Sequence, residues 1–86
     1  MEPTTFTASA IIKSTSVLFQ GVTVTAAATA GVINIRRGPL ITSPIIFELR
    51  APINTTVTID SLNIRCHTGI YAEVVSGAVV GTVTHN

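Results

Sequence analysis

The stretch Ile45-Ile46-Phe47-Glu48-Leu49-Arg50 sets Ile45, Phe47 and Leu49 on one side of an extended chain and Ile46, Glu48 and Arg50 on the other. A repeat of two residues belongs to a half-buried strand, and it does not fit the 3.6-residue turn of a helix. The same alternation turns Ile33 and Ile35 inward against Asn34 and Arg36. It turns Leu62, Ile64 and Cys66 inward against Asn63, Arg65 and His67. Threonine, valine and isoleucine dominate the rest of the chain, and these β-branched side chains favour the pleated surface of a sheet.

Strands are predicted over residues 7–13, 16–25, 32–36, 45–50, 56–60, 62–66, 70–75 and 79–84, separated by segments carrying Gly, Pro, Asn and Ser. In the second of these the phase slips from Val17 and Phe19 to Val22 and Val24. A glycine bulge at Gln20-Gly21 reconciles both halves, and such a strand can serve two sheets. Asp60-Ser61 reads as a bulge or a turn, and Ser76-Gly77 as a two-residue hairpin turn. The expected fold is all-β: a small antiparallel β-sandwich, Ig-like or jelly-roll-like, formed by residues 1–86 as a single domain. Residues 1–10, polar and threonine-rich, are expected to form either an arm that orders against a neighbouring subunit or an edge strand. The predicted core is Val22, Val24, Ile33, Ile35, Phe47, Leu49, Ile59, Leu62, Ile64, Ile70, Ala72, Val74 and Val83.

Composition narrows the partners. Of the 86 residues 47% are hydrophobic and only 10% are charged, too few charges to coat the surface of a small monomer. No run approaches the roughly 18–20 apolar residues of a membrane-crossing helix. Met1-Glu2-Pro3-Thr4-Thr5 lacks the basic and apolar regions of a secretory signal, so folding in a cytoplasm is expected. A net charge of +1, from basic residues spread along the chain, predicts neither nucleic acid nor a membrane as partner. Another protein surface is expected instead, and the apolar residues placed on outer faces are the candidate interface: Phe19, Val32, Ile46, Tyr71, Val75 and Val80.

Chemistry-bearing residues are sparse. Cys66, His67 and His85 lack the paired spacing of a zinc site, and Cys66 reads as a small core residue. There is no G-x-S-x-G elbow, and the acids Glu2, Glu48, Asp60 and Glu73 suggest no catalytic pair. Arg36-Arg37-Gly38 lacks the strand–loop–helix setting of a phosphate loop. Asn54-Thr55-Thr56 matches a glycosylation acceptor and reads as a turn. No enzyme activity, cofactor or metal is expected.

Five segments share a cadence with a known group of proteins: Leu18-Phe19-Gln20-Gly21-Val22-Thr23-Val24, then residues 46–52 and 60–66, then Gly69-Ile70-Tyr71-Ala72 with residues 76–83. This pattern, over residues 16–84, resembles small β-sandwich virion proteins of tailed phages. The 37–44 loop, marked by Pro39 and Pro44, departs from it. The resemblance implies a virion structural protein made in the host cytoplasm, most simply a capsid decoration (cement) protein. It would form a symmetric homo-oligomer, preferably a trimer, on the major capsid protein or another virion protein. The alternatives are a tail or head-fibre subunit or adaptor, or a carbohydrate-binding sandwich that stacks sugars on Tyr71, Phe6 or Phe19.

Overall fold

The computed structural model describes residues 2–86. Nine strands follow in chain order: β1 (Glu2–Phe6), β2 (Ala10–Lys13), β3 (Val17–Ala26), β4 (Gly31–Arg37), β5 (Ile45–Ala51), β6 (Thr56–Ile59), β7 (Ile64–Cys66), β8 (Ile70–Ser76) and β9 (Val79–His85). Every pairing is antiparallel. Sheet I runs β1-β9-β3, with β6 and β7 sharing the far edge of β3, and sheet II runs β2-β8-β4-β5.

The pairs nest. β4 meets β5, β3 meets β6 and β7, β2 meets β8, and β1 meets β9, so the chain is one long hairpin folded over into two sheets. This is jelly-roll order, with β6 and β7 together taking the place of one strand, and it settles the topology against an Ig-like one. Residues 2–6 form an edge strand on β9 in the register Glu2↔His85 to Phe6↔Gly81.

Two sequence expectations about connections are corrected. Ser76-Gly77 is not a hairpin turn, because β8 lies in sheet II and β9 in sheet I, and the chain crosses between layers there with Gly77 at φ 81°. β3 does not serve two sheets either. It stays in sheet I, and the bulge between Phe19 and Gly21 divides its outer edge between two partners: Val17–Phe19 pair with β7 and Val22–Thr25 with β6. Asp60-Ser61 is a turn, with Ser61 at φ 60°.

The bulge also decides the core. By absorbing one residue it lets Val17 and Phe19 on one side, and Val22 and Val24 on the other, all face inward. Phe19, placed on an outer face by the sequence reading, is fully buried and meets Phe47 edge to face with ring centroids 6.4 Å apart. Val22, Val24, Ile33, Ile35, Leu49, Ile70, Ala72 and Val83 are buried as expected, while Phe47, Ile59, Leu62, Ile64 and Val74 are only partly covered and pack on the margin. Phe6, Ile12, Ala26, Ala51, Cys66 and Val79 complete the interior. Gly81 is required beneath Phe6, since a Cβ there would collide with the ring.

A second bulge, between Ile35 and Arg36 against β5, overturns the phase of its first residues. Ile45 stands opposite Arg36 and is exposed, and Ile46 packs partly against the core. Phe19→Ala should cost roughly 3–5 kcal/mol in denaturant unfolding, and Ile64→Ala distinctly less because its side chain is only part-covered. Equal losses at the two positions would contradict the assignment of centre and margin.

Candidate interaction surfaces

The outer face of sheet II holds a polar cluster that side-chain alternation on β4 and β8 brings together. Asn34 lies directly across from Glu73, and Arg36 across from Tyr71 one step along. Glu73 Oε1 accepts three hydrogen bonds: from Arg36 Nη2 at 2.8 Å, from Arg36 Nε at 3.1 Å and from Asn34 Nδ2 at 3.1 Å. Arg36 Nη1 donates to the Ser43 carbonyl at 2.7 Å, which ties the 38–44 loop to the sheet.

Arg36 and Glu73 side chains are 16% and 18% exposed, unusually shielded for an outer face. A second ion pair, Arg50 with Glu48 along β5, has side chains 72% and 50% exposed and contributes little in water. Hydrogen bonds from Arg36, then from Asn34, hold the Glu73 carboxyl below its ordinary range. Asn34 itself is buried, and its Oδ1 has no donor within reach. An unmet acceptor of this kind costs about 1–3 kcal/mol.

Aliphatic side chains surround this cluster. Register sets Ile11 beside Tyr71, Tyr71 beside Arg36, and Arg36 beside Ile45 in one row across four strands. Ile11 and Ile45 are about half exposed, as is Val75 further along β8. The loop beyond β4 adds Leu40 and Ile41, 60% and 51% exposed, next to the Ser43 carbonyl that Arg36 holds. Lys13 and Arg37 flank Ile70 at this end, and Arg65 stands near the start of β3. These three cations have no ion-pair partner among the described residues.

Of the six candidate interface residues, Val32, Tyr71 and Val75 share this face. Ile46 sits in the β5 bulge, Phe19 in the core, and Val80 on the outer face of sheet I, where it is exposed. The sequence reading passed over Ile11, Leu40, Ile41 and Ile45. An apolar pair between Pro39 and Pro44, in a segment too broken for a strand, was the available signal for Leu40 and Ile41.

Sheet I presents a different outer face. Thr5, Thr82, Thr23 and Thr58 line up across β1, β9, β3 and β6, with Thr25 and Thr56 in the next row. Neighbouring hydroxyls bond at 3.4 Å (Thr5–Thr82), 3.3 Å (Thr23–Thr58) and 2.9 Å (Thr25–Thr56). At its β3 edge the 60–63 turn arches over Gln20, with Leu62 N–H donating to the Gln20 carbonyl at 2.9 Å. A cleft of about 430 Å³ lies there, lined by Gln20, Asp60, Ser61, Leu62 and Asn63, and the Gln20 Oε1 is buried without a partner. One carboxylate, one hydroxyl and two amides can hydrogen-bond a small polar molecule or water.

The residues weighed for metal chemistry lie at the end of β7, in the bend just after it and on β9. Cys66 is fully buried at the end of β7, and burial pushes its thiol pKa up, partly opposed by the nearby Arg37 charge. His67 is exposed beside it, and His85 is buried in β9 with Nε2 2.8 Å from Thr4 Oγ1. Among the described residues no group of three His, Cys, Asp or Glu side chains is placed to hold a metal ion. Compared with protein-family models, with curated proteins and with solved structures, the chain matches none.

The Glu73 cluster has a pH signature. Its folded pKa lies below the ordinary glutamate value of about 4.3, so its stabilising effect is complete above that pH and is lost as pH falls through the folded value. Glu73→Gln should therefore flatten the acid limb of a plot of urea midpoint against pH. An unchanged acid limb in Glu73→Gln would show that the carboxylate does not carry the cluster.

Proposed function

We propose that this chain is a virion structural protein, most simply a capsid decoration protein, which covers the outer face of sheet II against another virion protein and assembles as a symmetric homo-oligomer. The observation that carries the reading is the exposed aliphatic rim of Ile11, Leu40, Ile41, Ile45 and Val75 around the shielded Arg36–Glu73 pair. Protein interfaces combine an apolar centre with aromatic and arginine anchors, and this face offers Tyr71 beside an Arg36 whose side chain is already held in place. Jelly rolls are shared by viral capsid and lectin-type domains, so the fold agrees with the reading by analogy only. Threefold stoichiometry and the major capsid protein as partner rest on the resemblance to tailed-phage virion proteins. A fibre subunit or adaptor would use the same surface.

A carbohydrate-binding module has less support. Two of the three aromatics available for stacking, Phe6 and Phe19, are buried, which leaves Tyr71 alone and half-covered.

Two measurements test the proposal. Mass spectrometry of density-purified particles from cells that express the chain should find its peptides in the particle fraction, and their absence there overturns the virion assignment. Leu40→Asp with Ile41→Asp should abolish rebinding to stripped particles without changing the unfolding free energy by more than about 0.5 kcal/mol, since both side chains are exposed. Retained binding would remove the loop from the docking surface.

A further inference from the structure

Four strand edges are open in this sandwich, and three carry devices that discourage pairing. β1 contains Pro3, which lacks a backbone donor. β2 has four residues, a register shift between Ile11 and Lys13, and a terminal lysine. β6 and β7 have four and three residues and are interrupted by the turn over Gln20. β5 is different: seven residues with no proline, and a bulge confined to its first positions. No backbone hydrogen bond among the described residues uses the free edge of residues 46–50. Phe47 points inward to Phe19 yet stays only half-buried, since no strand of sheet II lies beyond it to close the sandwich.

We propose that β5 is a self-association edge, on which a second copy of this chain adds antiparallel to residues 47–51 in the register that sets Leu49 against Leu49 of the second copy. Among pairings centred on residues 48, 49 and 50, the charges select this register. Side-chain faces must match for the two sheets to continue as one, so the pairing centre must fall on a residue and not between two. Centring on Glu48 sets that carboxylate against itself, and centring on Arg50 sets two guanidinium groups together. Centring on Leu49 puts Glu48 opposite Arg50 of the second copy and Arg50 opposite its Glu48, both exposed and already side by side along the strand. The same register places Phe47 opposite Ala51, a small residue that leaves room for the ring, and Pro52 limits the pairing to this stretch.

The inference rests on the reading of the chain as a self-assembling subunit, and it assigns one contact within that assembly. The contact is isologous, so it forms dimers by itself or joins two trimers when a separate threefold contact exists.

Light scattering across a dilution series reads the association. Glu48→Arg alone and Arg50→Glu alone should each weaken the twofold contact by on the order of tenfold, and the two exchanged together should restore it. Both positions are exposed, and unchanged unfolding midpoints confirm that the variants fold. Register is read by oxidising an equal mixture of Glu48→Cys and Arg50→Cys proteins. A disulfide-linked dimer should form in the mixture and not with either variant alone, because directly opposed residues come within disulfide reach. The native Cys66 is fully buried and does not compete. An oligomer whose mass ignores the charge exchange overturns the β5 contact and leaves the subunit reading standing. A monomer at every concentration overturns both.

Discussion

One backbone irregularity governs this molecule: the bulge between Phe19 and Gly21 in β3. β3 is the longest strand and has neighbours on both sides, so its side-chain phase is imposed on all of sheet I. Without the extra residue, either Val17 and Phe19 or Val22 and Val24 would point to solvent, and the sandwich would lose half of its central filling. Gly21 makes the bulge possible at close quarters, since a Cβ there would come within 2.8 Å of the Ile59 carbonyl oxygen. The gap left at Gln20 is what splits the partner strand into β6 and β7 and calls for the arch at residues 60–63.

The two outer faces divide the work differently. Threonine hydroxyls on sheet I satisfy one another across the strands without net charge, so that face is content in water. Sheet II concentrates its charge in a shielded pair and leaves aliphatic groups around it in contact with solvent. An ion pair so placed adds less to stability than to position: it fixes the Arg36 guanidinium, whose Nη1 also holds the Ser43 carbonyl of the loop. An Arg36 side chain fixed in this way would lose little freedom in any contact made at this face, which lowers the cost of such a contact.

Alternation made most strands legible, because β-branched residues on one face and polar residues on the other leave a period of two that nothing else in the chain mimics. It placed Ile33, Ile35, Leu49, Ile70 and Ala72 in the core correctly. A period of two carries no information about which sheet a strand joins, so Ser76-Gly77 read as a hairpin when it is a crossing between layers. Bulges defeat the same logic locally. One hid Phe19 in the interior, and the other turned Ile45 out. β1 was legible only as one of two options, an arm or an edge strand, because Pro3-Thr4-Thr5 have no apolar alternation to read, and its place on β9 depends on a pairing with the far end of the described chain.

The nested pairing also dictates an order of assembly. β4 and β5 are joined by a short loop and can find each other locally, whereas each successive pair encloses the one before it, and β1 pairs with β9 across almost the whole sequence. Closing such loops costs entropy that completed inner pairs offset, which favours early pairing of β4 with β5 and late pairing of β1 with β9. On a ribosome, β1 would emerge before the other eight described strands and wait longest of them for its partner. Its polar, threonine-rich sequence lets it wait in water without seeking a wrong partner.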